Sequence, residues 1–123
     1  MASKRILRLN EQLKRELSDL IRTKVRDPRI GTVTLTAVEV AGDLASARVH
    51  VQLSGPESER ASSLAGLQAA APFLRRTLGA SLHVRKVPEL RFLEDHSLEH
   101  ARRIEQLLSQ NRPGPDPPQG DEE

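Results

Sequence analysis

Residues 45–53 read Ala-Ser-Ala-Arg-Val-His-Val-Gln-Leu, apolar at every odd position and polar at every even one. Successive strand side chains point to opposite faces, so this segment belongs to a sheet with one covered face and one open face. Residues 32–40, rich in β-branched side chains, alternate as far as Leu35 and then change frame to Val38 and Val40. A bulge near Ala37 reconciles the two halves, and Ala41-Gly42-Asp43 supplies the hairpin turn between the strands. Residues 82–93 are mostly extended and interrupted by Pro88, with a third strand best defined over residues 89–93. Leu82, Val84, Leu90 and Phe92 share one parity there, and His83, Arg85, Glu89 and Arg91 the other.

The covered face needs helices. Residues 3–26 carry Ile6, Leu9, Leu13, Leu17, Leu20, Ile21 and Val25, mostly at steps of three or four, which predicts a long amphipathic helix capped by Ser3. Pro28 disfavours helical geometry at Asp27, so this helix should finish near Arg26. Residues 57–78 repeat the pattern with Leu64, Leu67, Ala71, Leu74 and Leu78, but Pro72 falls inside. A proline there cannot donate to the carbonyl four residues back, which predicts two helices meeting at a kink near Ala70, Ala71 and Pro72. Gly79 then closes the second of them. Ser97 is placed to cap a last helix bearing Leu98, Ala101, Ile104, Leu107 and Leu108. The expected order is α-β-β-α-kink-α-β-α, an α+β domain with helices packed on one face of a three-stranded sheet.

At 123 residues the chain has room for one such domain, expected over residues 1–110. Residues 111–123 hold four prolines, two glycines and no large apolar side chain, which predicts a disordered, Pro-rich acidic tail. The formal charge of +2 hides an asymmetry: one basic and four acidic residues lie in that tail, leaving +5 on residues 1–110. Most of the body's cations are arginines, whose planar fork suits phosphate, so an anionic partner is expected. Without cysteine there is no disulfide, thiolate metal site or cysteine nucleophile. No apolar run is long enough for a membrane span and the polar start lacks a signal peptide's apolar stretch, so a soluble, intracellular, unanchored protein is expected. With two Phe and no Trp or Tyr, aromatic platforms for stacking bases are excluded.

The element order is that of type II KH domains. Beyond it, Leu9-Asn-Glu-Gln-Leu-Lys-Arg-Glu-Leu-Ser-Asp-Leu-Ile21, then Val25-Arg-Asp-Pro-Arg-Ile-Gly31, then Val87-Pro-Glu-Leu-Arg-Phe92 with Asp95-His-Ser-Leu98 resemble the ribosome-binding factor A family over roughly residues 4–108. The resemblance implies a bacterial assembly factor that binds the immature small (30S) ribosomal subunit, assists maturation of the 5′ region of 16S rRNA, matters most in the cold, and leaves before translation. It implies a cytoplasmic monomer without cofactor or catalytic residues, functionally linked to assembly GTPases and other 30S maturation factors. Ordinary KH domains clamp the backbone with a Gly-x-x-Gly loop, and no two glycines here stand three apart. The family's Ala-x-Gly kink falls on Ala70-Ala71-Pro72, where proline replaces glycine, keeping the bend and removing a backbone donor.

The RNA-binding candidates are Arg75 and Arg76 just after Pro72, and Arg85 and Lys86 before Pro88. Early in the second half of a broken helix, Arg75 and Arg76 would sit near exposed amides and a positive dipole end. Lys4, Arg5 and Arg8 form a second group. Arg29, beside the Asp-Pro turn, serves either to pair Asp27 or to contact RNA. Arg48 and His50 point from the polar face of the second strand. His96 and His100 have the i, i+4 spacing of metal ligands, but His96 precedes the helix and no third ligand accompanies them, so no metal site is expected. Asp95 is assigned a helix-capping role. From the residues alone, a protein-interaction or dimerisation module with an incidental basic surface stays open, whereas a hydrolase would need a constellation the sequence lacks. A chain ending at Gln110 is expected to melt at the same temperature as the full chain; a loss of several degrees, read by circular dichroism, would show the tail to be packed.

Overall fold

The computed structural model describes residues 3–82 and 86–111, so the expectation for residues 112–123 lies outside the described residues. The strands are β1 (Val33–Val40), β2 (Ser46–Leu53) and β3 (Glu89–Glu94), in the spatial order β1-β2-β3. β2 pairs antiparallel with β1 and parallel with β3. Its alternation does what the sequence demands: Ala47, Val49 and Val51 are 1%, 0% and 0% exposed, while Arg48 looks outward. The β1–β2 register slips between Leu35 and Ala37, so Thr36 is the extra residue that lets Leu35, Val38 and Val40 all face inward.

Two helices cover that inner face. α1 (Lys4–Thr23) sends Leu13 and Leu17 into the core, and its N-cap Ser3 accepts a hydrogen bond from the Ile6 amide at 3.2 Å. α2 (Glu57–Leu82) contributes Leu67, Ala71, Leu74 and Leu78. Each helix also satisfies an edge of the sheet. Asn10 of α1 accepts from the Val40 amide at 2.9 Å on the β1 side. On the β3 side the Gln68 carboxamide accepts from the Phe92 amide at 3.0 Å and donates to the Leu90 carbonyl at 3.3 Å. Arg60 pairs with Glu94 at 2.8 Å, and Arg75 Nε donates to the Val87 carbonyl at 2.9 Å. α2 is thus tied to β3 and its approach along the length of the helix.

The segment between α1 and β1 is docked against α2. Ser63 is 4% exposed, and its hydroxyl accepts from the Gly31 amide and donates to the Arg29 carbonyl, both at 3.1 Å. Gly66 makes room for the same segment: a Cβ there would lie 2.8 Å from Ile30 Cγ1.

Four local expectations are corrected. α1 ends at Thr23 instead of near Arg26, because the Lys24 and Val25 amides both return to the Leu20 carbonyl and the Asp27 carboxylate then gathers the Arg29 amide into a turn. α2 is one helix that runs through Pro72, not two. The buried residues Leu67, Ala71, Leu74 and Leu78 keep helical spacing across the proline, and the carbonyl it leaves without a donor belongs to Gln68, an exposed residue that water can reach. Gly79 does not end the helix, which continues to Leu82; its lack of a side chain instead admits Val87, whose Cγ2 would stand 3.4 Å from a Cβ. Finally, α3 (Ser97–Asn111) is capped by Asp95, whose Oδ1 accepts from the Ser97 amide at 2.8 Å, and not by Ser97. α1 and α2 fill the inner face, and residues 97–110 of α3 are exposed, Leu98, Ile104, Leu107 and Leu108 included.

The bulge and the cap meet in one carboxylate. Thr36 Oγ1 donates to Asp95 Oδ2 at 2.5 Å, and these bonds to Thr36 and Ser97 hold the Asp95 carboxyl at about 2, below its ordinary 3.8. Its folded value is depressed, so the stabilisation is present above about pH 4 and is lost as the pH falls toward 2. Asp95→Asn should therefore flatten the loss of stability over that window, measured by urea denaturation at a series of pH values. Ser63→Ala should destabilise the fold by about 1–3 kcal/mol in the same assay at neutral pH, because the Gly31 amide and Arg29 carbonyl lose their partner under a buried position.

Candidate nucleic-acid interface

The basic candidates fall into two surfaces on different elements. The first is a groove between the middle of α2 and the start of β3, lined by Gln68, Ala71, Pro72, Arg75, Arg76, Glu89, Leu90 and Arg91. Ala71 is 7% exposed and forms the floor with Leu90, while Pro72 and both arginines of α2 stand at the rim. Arg75 is committed through Nε to the Val87 carbonyl, which leaves its terminal nitrogens for a ligand. Among the described residues Arg76 has no ion-pair partner. Since α2 is unbroken, these arginines sit in mid-helix and have no helix N-terminus beside them; what they present at the rim is side-chain charge alone.

The second surface is a cleft of about 840 Å³ framed by the start of α1, the β1–β2 turn, the end of α2 and residues 86–88. Lys4, Arg5, Arg8 and Lys86 all line it, and among the described residues no acidic one does. Lys86 therefore joins the N-terminal group and not Arg75 and Arg76, because the approach to β3 passes beneath the first turn of α1. Arg85 lies outside the described residues.

Arg29 lines neither surface. Its backbone amide donates to Asp27 Oδ1 at 2.9 Å and its guanidinium reaches Oδ2 at 2.7 Å. The hydrogen bonds from Arg29 hold the Asp27 carboxyl below the usual carboxylate range, and the same bonds raise the guanidinium further. This geometry fixes the turn after α1 and so favours the structural alternative for Arg29.

Sequence reasoning missed Arg91 as a member of the first surface. It pairs with Glu89 at 3.5 Å and reaches the groove because β3 is an edge strand. Its parity in the strand was legible, but only the sheet order places it next to α2. On the open face, His50 Nε2 lies 2.8 Å and Arg48 3.3 Å from Glu39 Oε1, and the bond to His50 is the main reason the Glu39 carboxyl is lowered. These two basic residues are satisfied by their neighbour across the strand pair. Among the described residues no group of three or more His, Cys, Asp or Glu side chains is arranged to hold a metal ion, and no described helix is long and apolar enough to cross a membrane.

Residues 5–108 match the family model described as Ribosome-binding factor A. A ribosome-binding factor A from Heliobacterium modesticaldum is 50% identical over 110 residues, covering 89% of this chain and 91% of the relative. A solution NMR structure of a Thermotoga maritima protein titled a putative ribosome binding factor A superposes with a TM-score of 0.69 at 30% identity, covering 77% of this chain and 91% of that one. A Thermus thermophilus ribosome binding factor A homology model, fitted into a cryo-EM map of a 30S complex, superposes with a TM-score of 0.60 at 30% identity over 71% of this chain and 91% of that one.

Pro72→Ala restores an amide that can reach the Gln68 carbonyl, so it should stabilise the domain by up to about 3 kcal/mol, measured by chemical denaturation. No gain would mean that the carbonyl is already satisfied elsewhere.

Proposed function

The chain belongs to the ribosome-binding factor A family, and from that premise we propose that it binds the free or immature small (30S) ribosomal subunit and assists its late maturation, including processing of the 5′ region of 16S rRNA. The observation that carries the reading is the likeness to the Thermus thermophilus relative fitted into the map of its 30S complex, together with basic surfaces suited to a phosphate backbone. The factor works as a cytoplasmic monomer that binds and does not catalyse. It acts alongside assembly GTPases and other 30S maturation factors.

In this reading Arg76 and the terminal nitrogens of Arg75 contact rRNA phosphates from the α2–β3 groove. Lys4, Arg5, Arg8 and Lys86 supply a second patch that draws the polyanion from a distance, and Arg29 and Arg85 are further candidates for RNA contact by their charge alone. Of Ala70, Ala71 and Pro72, where the sequence suggested a kink, Ala71 lies on the groove floor and Pro72 at its rim. Most of these contacts position the protein without reading sequence, since phosphate is the same at every nucleotide.

Co-sedimentation tests the reading. The protein should pellet with free small subunits and much less with assembled ribosomes; equal recovery with both, or with neither, would refute it. Arg76→Ala should weaken binding at low salt and reduce the slope of log affinity against log salt by up to about one unit, because one counterion-releasing contact is lost. Arg75→Ala should do the same and also loosen residues 86–88, seen as faster amide exchange there.

A further inference from the structure

The α1 cleft differs in kind from the α2–β3 groove. Its floor is aliphatic, formed by Leu9, Leu44, Leu82, Val87 and Pro88, and its rim carries four cations. Among the described residues the side chains of Lys4, Arg5, Arg8 and Lys86, like that of Arg76, have no hydrogen-bond or ion-pair partner, whereas Arg22, Arg29, Arg48, Arg60 and Arg91 each pair with a carboxylate. Four uncompensated like charges around one opening repel each other, so an anion seated among them relieves a cost the free protein carries.

The β1–β2 turn adds a second, independent observation. Leu44 has φ +62°, the one non-glycine residue in the left-handed region among those described. That conformation is unfavourable for a leucine, whose Cβ crowds the neighbouring carbonyl oxygen. It is held by the Leu44 amide donating to the Ala41 carbonyl at 2.9 Å and by the Asp43 carboxylate accepting from the Ala45 amide at 3.0 Å. The strained residue forms part of the cleft's aliphatic floor, opposite the first turns of α1.

We propose that this cleft is a binding site for an unpaired nucleotide of RNA, its base laid on the aliphatic floor against Leu9, Leu44 and Val87 and its phosphates held by Lys4, Arg8 and Lys86. The proposal rests on the rRNA-binding reading and deepens it. A single-stranded nucleotide joins a flat, weakly hydrated base to a phosphate, the pairing of chemistries that the floor and rim present. A duplex keeps its bases stacked inside and offers only the anion. Because the chain has no aromatic platform, the base is held by burial of apolar surface and not by ring stacking. Gln12 lines the same cleft, and its carboxamide, with both donors and an acceptor, is the group placed to read a base edge.

The test uses the full chain and a fluorescein-labelled RNA oligonucleotide, single-stranded or annealed to its complement, followed by anisotropy. Leu44→Gly suits the left-handed backbone and so keeps the turn while removing the side chain. It should weaken single-strand binding about tenfold and leave duplex binding unchanged. Lys4→Ala with Arg8→Ala should weaken both and lower both salt slopes, and Gln12→Ala should reduce discrimination among homopolymeric oligonucleotides. Equal effects of Leu44→Gly on single strand and duplex, or no effect on either, would overturn the proposal. So would an acidic leucine-containing peptide that binds in a Leu44-dependent way while the single strand does not, which would make the cleft a protein site. Co-sedimentation of the wild-type chain with small subunits separates the two levels. If it pellets and the oligonucleotide ignores Leu44, the cleft assignment fails and the rRNA-binding reading stands; if it does not pellet, that reading fails.

Discussion

The molecule is organised around a sheet that buries one face only. With Ala47, Val49 and Val51 of the central strand almost fully covered and Arg48 on the other side, every helix that is to contribute to the core must lie on the same side. Two helices of twenty and twenty-six residues fill that space, so α2 is pressed along β3 and α1 along β1. Both basic surfaces follow from this crowding. One lies where α2 leans over the β3 edge, and the other where the first turn of α1 overhangs the approach to β3.

The strands, their frame change and the element order were legible because alternation and β-branching report directly on which side of a sheet a residue occupies. Thr36 shows the limit of that reading: the pattern implied a bulge near Ala37, but the link from its hydroxyl to Asp95 depends on a residue 59 positions away. The helix ends were less legible. α1 stops early where the Lys24 and Val25 amides share the Leu20 carbonyl and Asp27 gathers Arg29 into the turn beyond, and Gly79 is needed for Val87 instead of for a helix terminus; in each case a tertiary or loop contact outweighs a local preference. Pro72 is the same lesson in reverse, since packing of Leu67, Ala71, Leu74 and Leu78 on one face holds the helix together where its own hydrogen bonding falters.

Of the basic residues, charge and residue type were enough to nominate Arg75, Arg76, Lys4, Arg5 and Arg8. Their grouping was not visible, because Lys86 moves from one group to the other only when α1 is folded across it. Arg91 required the sheet order, and the role of Leu44 required a backbone angle. The segment Val25-Arg-Asp-Pro-Arg-Ile-Gly31, one of the most recognisable in the chain, turns out to be engaged in architecture: Ser63 and Gly66 of α2 are shaped to receive it, and Asp27 holds Arg29 within it.

The side-chain amides at the two sheet margins have a consequence for how this protein meets other chains. An exposed strand edge is a template on which a foreign strand can lengthen a sheet, and a short three-stranded sheet offers two of them. Here Asn10 occupies the Val40 amide on one margin, and Gln68 occupies the Phe92 amide and the Leu90 carbonyl on the other. A strand pairing at Val40 or at residues 90–92 would have to evict a carboxamide anchored on a packed helix and replace bonds already made. Polymerisation through continuous sheets is thereby discouraged at the level of individual hydrogen bonds. Association with a large partner is left to the helix surfaces, the groove rims and the solvent-facing side of the sheet.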